Sequence, residues 1–259
     1  MILFHVKHFR VENFRWFNME KLENSKNNSI FIKIQKENDE IHNRSTQKEF
    51  GSRHSVSEQN KGITDRFRER TQQAEREFAK NNASKKIGFS QKQDIEKQAA
   101  FAIAKENNLW IDDIYSLGKF FESGHENTIV LDETSAVVYK SNNLQNTFGN
   151  ISTLFETIEA HNTLFPETRY EIIGFTGLKN ENQIPSIEVV LKQPFVDNAE
   201  HANNQEIANY MKSLDFKQIN NYTFENSEYI VFDLHPRNVL KNSDGTVFVI
   251  DNRIEVKRV

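Results

Sequence analysis

The stretch Val231-Phe-Asp-Leu-His-Pro-Arg-Asn-Val-Leu240, followed by Val247-Phe-Val-Ile-Asp251, decides how this chain is read. Each part begins as a short β-branched and aromatic run and meets an aspartate, and Asn242–Gly245 supplies a turn between strands. Asp233 and Asn238 stand at the spacing Asp-x-x-x-x-Asn, and Pro236 between them stiffens the intervening loop. Asp251 follows at the end of the next strand–turn–strand.

Upstream, Asp94–Asn108 is rich in Ala, Glu, Lys and Gln and predicts a helix ending at Asn107–Asn108. Lys119–Glu122, Thr128–Leu131 and Ala136–Tyr139 have β character, and the turns Ser123–Glu126 and Asp132–Ser135 join them into a meander. Phe148–Phe165 predicts an amphipathic helix. Its face carries Ile151, Leu154, Phe155, Ile158, Asn162 and Phe165, and Pro166 stops it. Arg169–Phe175 and Ser186–Leu191 read as strands, Gln205–Leu214 as a helix, and Glu228–Phe232, Val239–Leu240 and Thr246–Ile250 as closing strands. Runs of strands broken by single helices predict an α+β fold.

The Asp–Asn spacing has a chemical meaning. Moving a phosphoryl group from ATP to a hydroxyl needs a carboxylate to orient or deprotonate the acceptor and hard oxygen donors for magnesium on the phosphates. With Asp251 downstream, the arrangement resembles the protein-kinase-like superfamily, and the Asp-Leu-His-Pro form with His235 resembles its small-molecule phosphotransferases of the aminoglycoside and choline kinase type. Ala136-Val-Val-Tyr-Lys140 resembles the third-strand segment whose lysine holds the α- and β-phosphates. His161-Asn-Thr-Leu-Phe-Pro-Glu-Thr-Arg-Tyr170, Gly174-Phe175 and Gln193-Pro-Phe195 bring the chain nearer to the compact kinase-like domains attached to polyvalent proteins of phages and conjugative elements. The resemblance covers about residues 110–255.

This resemblance implies a reduced protein-kinase-like fold: a five-stranded antiparallel N-lobe sheet with one packed helix, and a minimal C-lobe. It implies ATP and Mg²⁺ as cofactors, and a nucleotide and an unidentified hydroxyl acceptor, small molecule or protein, as partners. Asp233 would be the catalytic carboxylate, and Asn238 and Asp251 the metal ligands. Lys140 would hold the phosphates and be oriented by Glu159, with Glu156 as the alternative. Gly124 would lie in the phosphate-covering loop, and Gln193 in a hinge whose backbone meets adenine. Two features depart from the family's pattern. Gly124 is the single glycine between Lys119 and Leu131, and the third motif reads Asp251-Asn252-Arg253 with eight residues after the aspartate, so no activation segment or helical C-lobe is expected. The other reading is a catalytically silent kinase-shaped module that binds nucleotide or protein. Residue by residue, plainer roles stay open: Asp233 and Asn238 as turn residues, Lys140 on a strand edge, Glu159 as a solvated charge, Gly124 as a turn.

Composition bounds these readings. The chain has 259 residues, 37% hydrophobic, with a mean hydropathy of −0.70. It has no cysteine, which excludes disulfide staples, thiolate metal sites and a thiol nucleophile. The longest apolar run, Ala99–Ala104, is far short of the roughly 20 residues that span a bilayer, and Met1–Val11 does not read as a signal peptide, so a cytoplasmic protein without a membrane partner is expected. Residues 1–90 carry 18 Lys and Arg against 12 Asp and Glu, a balance of +6, whereas residues 91–259 carry 15 against 25, a balance of −10. The boundary is therefore placed near residue 90. Residues 1–90 are expected as a polar, mostly disordered or loosely helical leader, and residues 91–259 as the kinase-like domain. Arg66–Lys86 has a weak stripe of Phe67, Ala74 and Phe78, but its mixed charges favour a solvated segment over a nucleic-acid arm. His5 and His8 have metal-like spacing without a third ligand, and His125, His161 and His201 are scattered.

Overall fold

Strands β1 (Lys119–Ser123), β2 (Asn127–Asp132) and β3 (Val137–Asn142) form the predicted meander, and β4 (Glu171–Thr176) and β5 (Glu188–Pro194) complete one antiparallel sheet in the order β1-β2-β3-β5-β4. The structure, a computed structural model, describes residues 56–81, 86–178 and 186–257. Met1–Val11, with His5 and His8, lies outside the described residues. The central strand β3 takes its register from both neighbours. Lys140 lies opposite Ile129 of β2 and Leu191 of β5, which fixes the depth at which its side chain enters the fold.

Three helices pack against this sheet where the resemblance implies one. They are α1 (residues 56–81), α2 (Phe89–Glu106) and α3 (Ile151–Leu164). A single cluster gathers Ile63 and Phe67 of α1, Ala99, Ala100, Ile103 and Ala104 of α2, Ile151, Leu154, Phe155 and Ile158 of α3, and Ile172, Phe175, Val189 and Leu191 of the sheet. Helix α1, within the span read from the sequence as a disordered or loosely helical leader, thus contributes to the same core. Residues 53–259 form one compact unit, with Ile63 and Phe67 each only 2% exposed. Asn60 of α1 also completes an open strand edge: its amide donates to Tyr170 O at 2.8 Å and accepts from the Ile172 N–H at 2.8 Å. Burying one such aliphatic or aromatic side chain is worth about 1.5–3 kcal/mol.

Helix α3 starts at Ile151 rather than Phe148, because Phe148 and Gly149 both have positive φ, 51° and 78°. Its N-terminus is capped from outside the helix. The buried Glu96 of α2 accepts from Ile151 N–H at 2.7 Å and from the Ser152 hydroxyl. At the far edge of the sheet, the chain leaving α2 lies along β4. Phe175 N–H donates to Leu109 O, and Ile111 N–H to Phe175 O. Gly174 makes this approach possible, since a Cβ there would sit 2.2 Å from Leu109 O.

The C-terminal part is built on two small antiparallel sheets. One has the order β11-β10-β6 (Val247–Val249, Val239–Lys241, Glu200–His201), and the other β12-β9-β8-β7 (Arg253–Val256, Tyr229–Phe232, Thr223–Glu225, Lys217–Asn220). Helix α4 (Asn204–Ser213) starts in a capping box, with Asn203 and Glu206 bonding each other's backbone N–H, and buries Ile207 and Met211 beneath these sheets. Ala160 and Phe165, at the end of α3, join this second cluster, so α3 is packed by both halves. The whole is α+β with antiparallel sheets, as expected. Among the described residues no helix is long and apolar enough to cross a membrane.

Candidate functional site

Val231 and Leu234, both wholly buried, anchor the backbone on either side of Phe232-Asp233. Between them Asp233 turns through φ 64°, a left-handed conformation that Asp tolerates better than most side chains. Leu234 N–H donates to Tyr222 O at 3.1 Å, which fastens the turn to the β7–β8 hairpin. Pro236–Asn238 is a single 3₁₀ turn with Pro at its first position, where a missing N–H costs nothing. His235 caps it, its Nδ1 accepting from Arg237 N–H at 3.2 Å. A ring that accepts at Nδ1 carries its proton on Nε2 when neutral, and Nε2 lies 3.4 Å from Asp233 Oδ1. Asn238 Nδ2 donates to Asp233 O at 2.9 Å and to Asp233 Oδ2 at 3.2 Å. Both carboxylate oxygens are therefore held from within the loop, and Asn238 keeps its Oδ1 as an acceptor. Ile250 N–H donates to Asn238 O at 2.9 Å and ties this loop to the residue before Asp251.

Lys140 arrives from the other sheet. It is 4% exposed, and its amine donates to Ile250 O at 2.8 Å and to the Tyr170 hydroxyl at 3.3 Å. Burial pushes this amine below the ordinary lysine value, while Asp251, then Glu126 and Glu122, pull it back up. The Tyr170 hydroxyl in turn donates to Ile250 O at 2.8 Å, and burial, followed by the nearby charge of Asp251, holds it well above the ordinary phenol range.

Behind Tyr170 lies the buried His161. Its Nε2 meets Thr168 O at 3.0 Å, so the neutral ring donates there and must accept at Nδ1. Asn252 Oδ1 lies 3.2 Å from Nδ1, so an accepting Nδ1 calls for the amide to be turned over. With its NH₂ turned to the ring, it supplies that donor and gives a partner to a buried amide nitrogen that otherwise has none. Burial drives the His161 ring down to about 4.

These pieces enclose a cleft of about 500 Å³ lined by Gly124, Glu126, Lys140, Asp233, Asn238 and Asp251 among others. That volume lies in the usual range for small-molecule sites. Five residues singled out in the sequence thus come together: Lys140, Asp233, Asn238, Asp251 and Gly124. Gly124 lies in the β1–β2 turn, its N–H donating to Asn127 O at 2.8 Å. Two do not join them. Glu159 is exposed and points with Glu156 toward α1, beside Thr64 and Arg68. The part of α3 turned toward Lys140 instead presents Leu154, Thr157 and Ile158, none of which carries a charge. Gln193 is expected to act through its backbone, and its side chain, 1% exposed, turns away from the cleft. Its Nε2 donates to Thr168 O at 2.6 Å, and it also hydrogen-bonds Tyr170, so it braces the strand linker.

One residue of the cleft had no sequence signal. Glu126 is half-buried at the base of the β1–β2 turn, where a glycine-rich loop would cover phosphates. Asn146 Nδ2 donates to its Oε2, Asn142 also bonds its side chain, and Asn143 N–H donates to its backbone oxygen at 3.0 Å. Burial raises its carboxyl group above the usual range, and the charge of Asp251 adds to that.

The donors at the mouth of the cleft are hard oxygens, the kind that suit magnesium, calcium or manganese ions rather than softer metals. Among the described residues no group of three or more His, Cys, Asp or Glu is placed to hold an ion. Asn238 and Asp251 offer two oxygen donors, so an ion bound there would take its other ligands from a bound molecule or water.

A family model for a serine/threonine/tyrosine kinase found in polyvalent proteins matches residues 92–258. The match begins beside the change in composition near residue 90 and includes every residue named in the cleft. No curated protein and no solved structure matches the chain.

Proposed function

The chain belongs to the serine/threonine/tyrosine kinases found in polyvalent proteins, and from that membership we propose that it transfers the γ-phosphoryl group of Mg-ATP to a hydroxyl acceptor within a reduced protein-kinase-like fold. The observation that carries this reading is the convergence of Lys140, Asp233, Asn238 and Asp251, spread over more than a hundred residues of sequence, on one cleft.

Each group has a chemical task there. Lys140, desolvated and fixed by Ile250 O, offers positive charge to the α- and β-phosphates. Asp233 is exposed enough to meet an acceptor while both its oxygens are oriented by Asn238 and His235. As the acceptor oxygen bonds to the γ-phosphorus, the bond from phosphorus to the β–γ bridging oxygen breaks, the electron pair leaves with ADP, and the acceptor proton passes to the Asp233 carboxylate. Asn238 Oδ1 and Asp251 would hold Mg²⁺, which when bound neutralises charge on the phosphates. The β1–β2 turn with Gly124 would cover the phosphates, and the backbone following β5 would border the adenine.

Isothermal titration with Mg-ATP is the direct test. The wild type binds and turns over ATP, Asp251→Ala binds at least about tenfold more weakly, and Asp233→Ala loses turnover. No binding by the wild type overturns the proposal, and binding with no transfer to any acceptor or to water overturns its catalytic part.

A further inference from the structure

The buried amine of Lys140 needs a fixed negative partner if it is to stay charged and aimed at phosphate, because burial alone drives it toward neutrality. Helix α3 does not supply one, since Glu156 and Glu159 are exposed toward α1 and the part of α3 facing Lys140 is uncharged. Three carboxylates act on the amine, those of Asp251, Glu126 and Glu122. Asp251, the strongest of the three, is the carboxylate proposed above for Mg²⁺ and would be shared with the ion, and Glu122 belongs to β1, whose residues are all exposed.

Glu126 differs from both. It lines the cleft and the small cavity behind it, together with Lys140. Its carboxylate is held by amide donors from Asn142 and Asn146, in the segment immediately following the strand that carries Lys140. Asn142 is itself fixed, donating to Asn127 Oδ1 at 3.1 Å and accepting from Leu144 N–H at 2.9 Å. An acid that only decorated a turn would face solvent; this one is half-buried, braced by neutral donors, and turned to the same enclosed space as the amine.

We propose that Glu126, delivered by the turn between β1 and β2, is the acidic positioning residue that keeps Lys140 oriented for the phosphates, the task the sequence assigns to Glu159. This rests on the reading of Lys140 as the phosphate-binding lysine. The turn that would cover the nucleotide thereby also sets the lysine beneath it, so one short segment carries two duties that a glycine-rich loop and a helix usually divide.

A double-mutant cycle on the full chain tests the pair without nucleotide. Glu126→Gln lowers the denaturant midpoint of the wild type but leaves it unchanged, or raises it, when introduced into Lys140→Met. Equal shifts in the two backgrounds overturn the pairing. Titration with a fluorescent Mg-ATP analogue tests the consequence. Glu126→Gln weakens binding about tenfold, the equivalent of about 1.4 kcal/mol. Glu126→Asp recovers most of the loss, and Glu159→Gln binds as the wild type does. Unchanged binding in Glu126→Gln, or a loss in Glu159→Gln, overturns the assignment. A wild type that binds no nucleotide would sink the kinase reading, whereas the cycle would still decide whether Glu126 and Lys140 are coupled.

Discussion

Asp233 combines the carboxylate proposed for transfer with a backbone turn that few side chains accept, and the two roles can be separated. At φ 64° an Asp or Asn side chain is tolerated, whereas Ala suffers its Cβ against the backbone without any local hydrogen bond in return. Asp233→Asn is therefore expected to unfold at nearly the wild-type denaturant midpoint while losing phosphoryl transfer. Asp233→Ala loses transfer and about 1 kcal/mol of stability as well. Parallel chemical denaturation of the two variants measures this, and equal stability of Ala and Asn would show that the turn stores no such preference. The Asp-x-x-x-x-Asn spacing was legible because both side chains lie in one tight loop, where spacing in sequence is almost distance in space. Glu126 was not legible for the opposite reason: an isolated acid in a polar turn looks like any solvated residue until the Asn142–Asn146 segment folds over it.

At the level of elements, strands were readable where β-branched, aliphatic or aromatic residues run together between turn residues. The meander β1–β2–β3 and strands β4, β5 and β9–β11 fall within a few residues of their expected positions. The strands β6, β7, β8 and β12 escaped because they lack the consecutive aliphatic or aromatic residues that marked the equally short β9, β10 and β11. Glu159 was misplaced by treating α3 as a helix with one apolar face, when it is packed from both halves of the molecule and turns its acids to a third side. Helix α1 hid in a different way. Its buried positions, Val56, Asn60, Ile63, Phe67 and Thr71, follow helical spacing, but two of the five are polar, which dilutes the hydrophobic signal. Phe67 meets Phe155 of α3 edge-on with ring centroids 5.2 Å apart. Phe67→Ala should cost about 3 kcal/mol and lower the thermal midpoint of the whole unit in one transition. A separate early transition, or no shift, would return α1 to the status of an independent leader.

Over the whole molecule, charge and buried ionisable groups set how the fold responds to solution conditions. The cleft gathers Glu122, Glu126, Asp233 and Asp251 against Lys140 and Arg237, within a region of net charge −10, so a bare triphosphate meets repulsion that a divalent cation would relieve. His161 governs the acid side of stability. Its ring titrates at about 4 in the fold against an ordinary value of 6.5, so between these limits the unfolded chain binds a proton that the native one refuses. Stability is then full above the upper value, declines as pH falls, and is about 3 kcal/mol lower once the pH is below about 4. Calorimetry between about pH 7 and pH 4.5 should show this slope, and His161→Gln should flatten it; an unchanged slope would place the acid sensitivity elsewhere.

The same interior bears on how the halves stay in step. The Tyr170 phenol receives the β3 lysine, reaches the carbonyl next to Asp251, and is braced by the β5 glutamine. A single ring thus acts as a spacer bolt: whatever shifts one wall of the cleft must drag, tilt or unseat it before the opposite wall can follow.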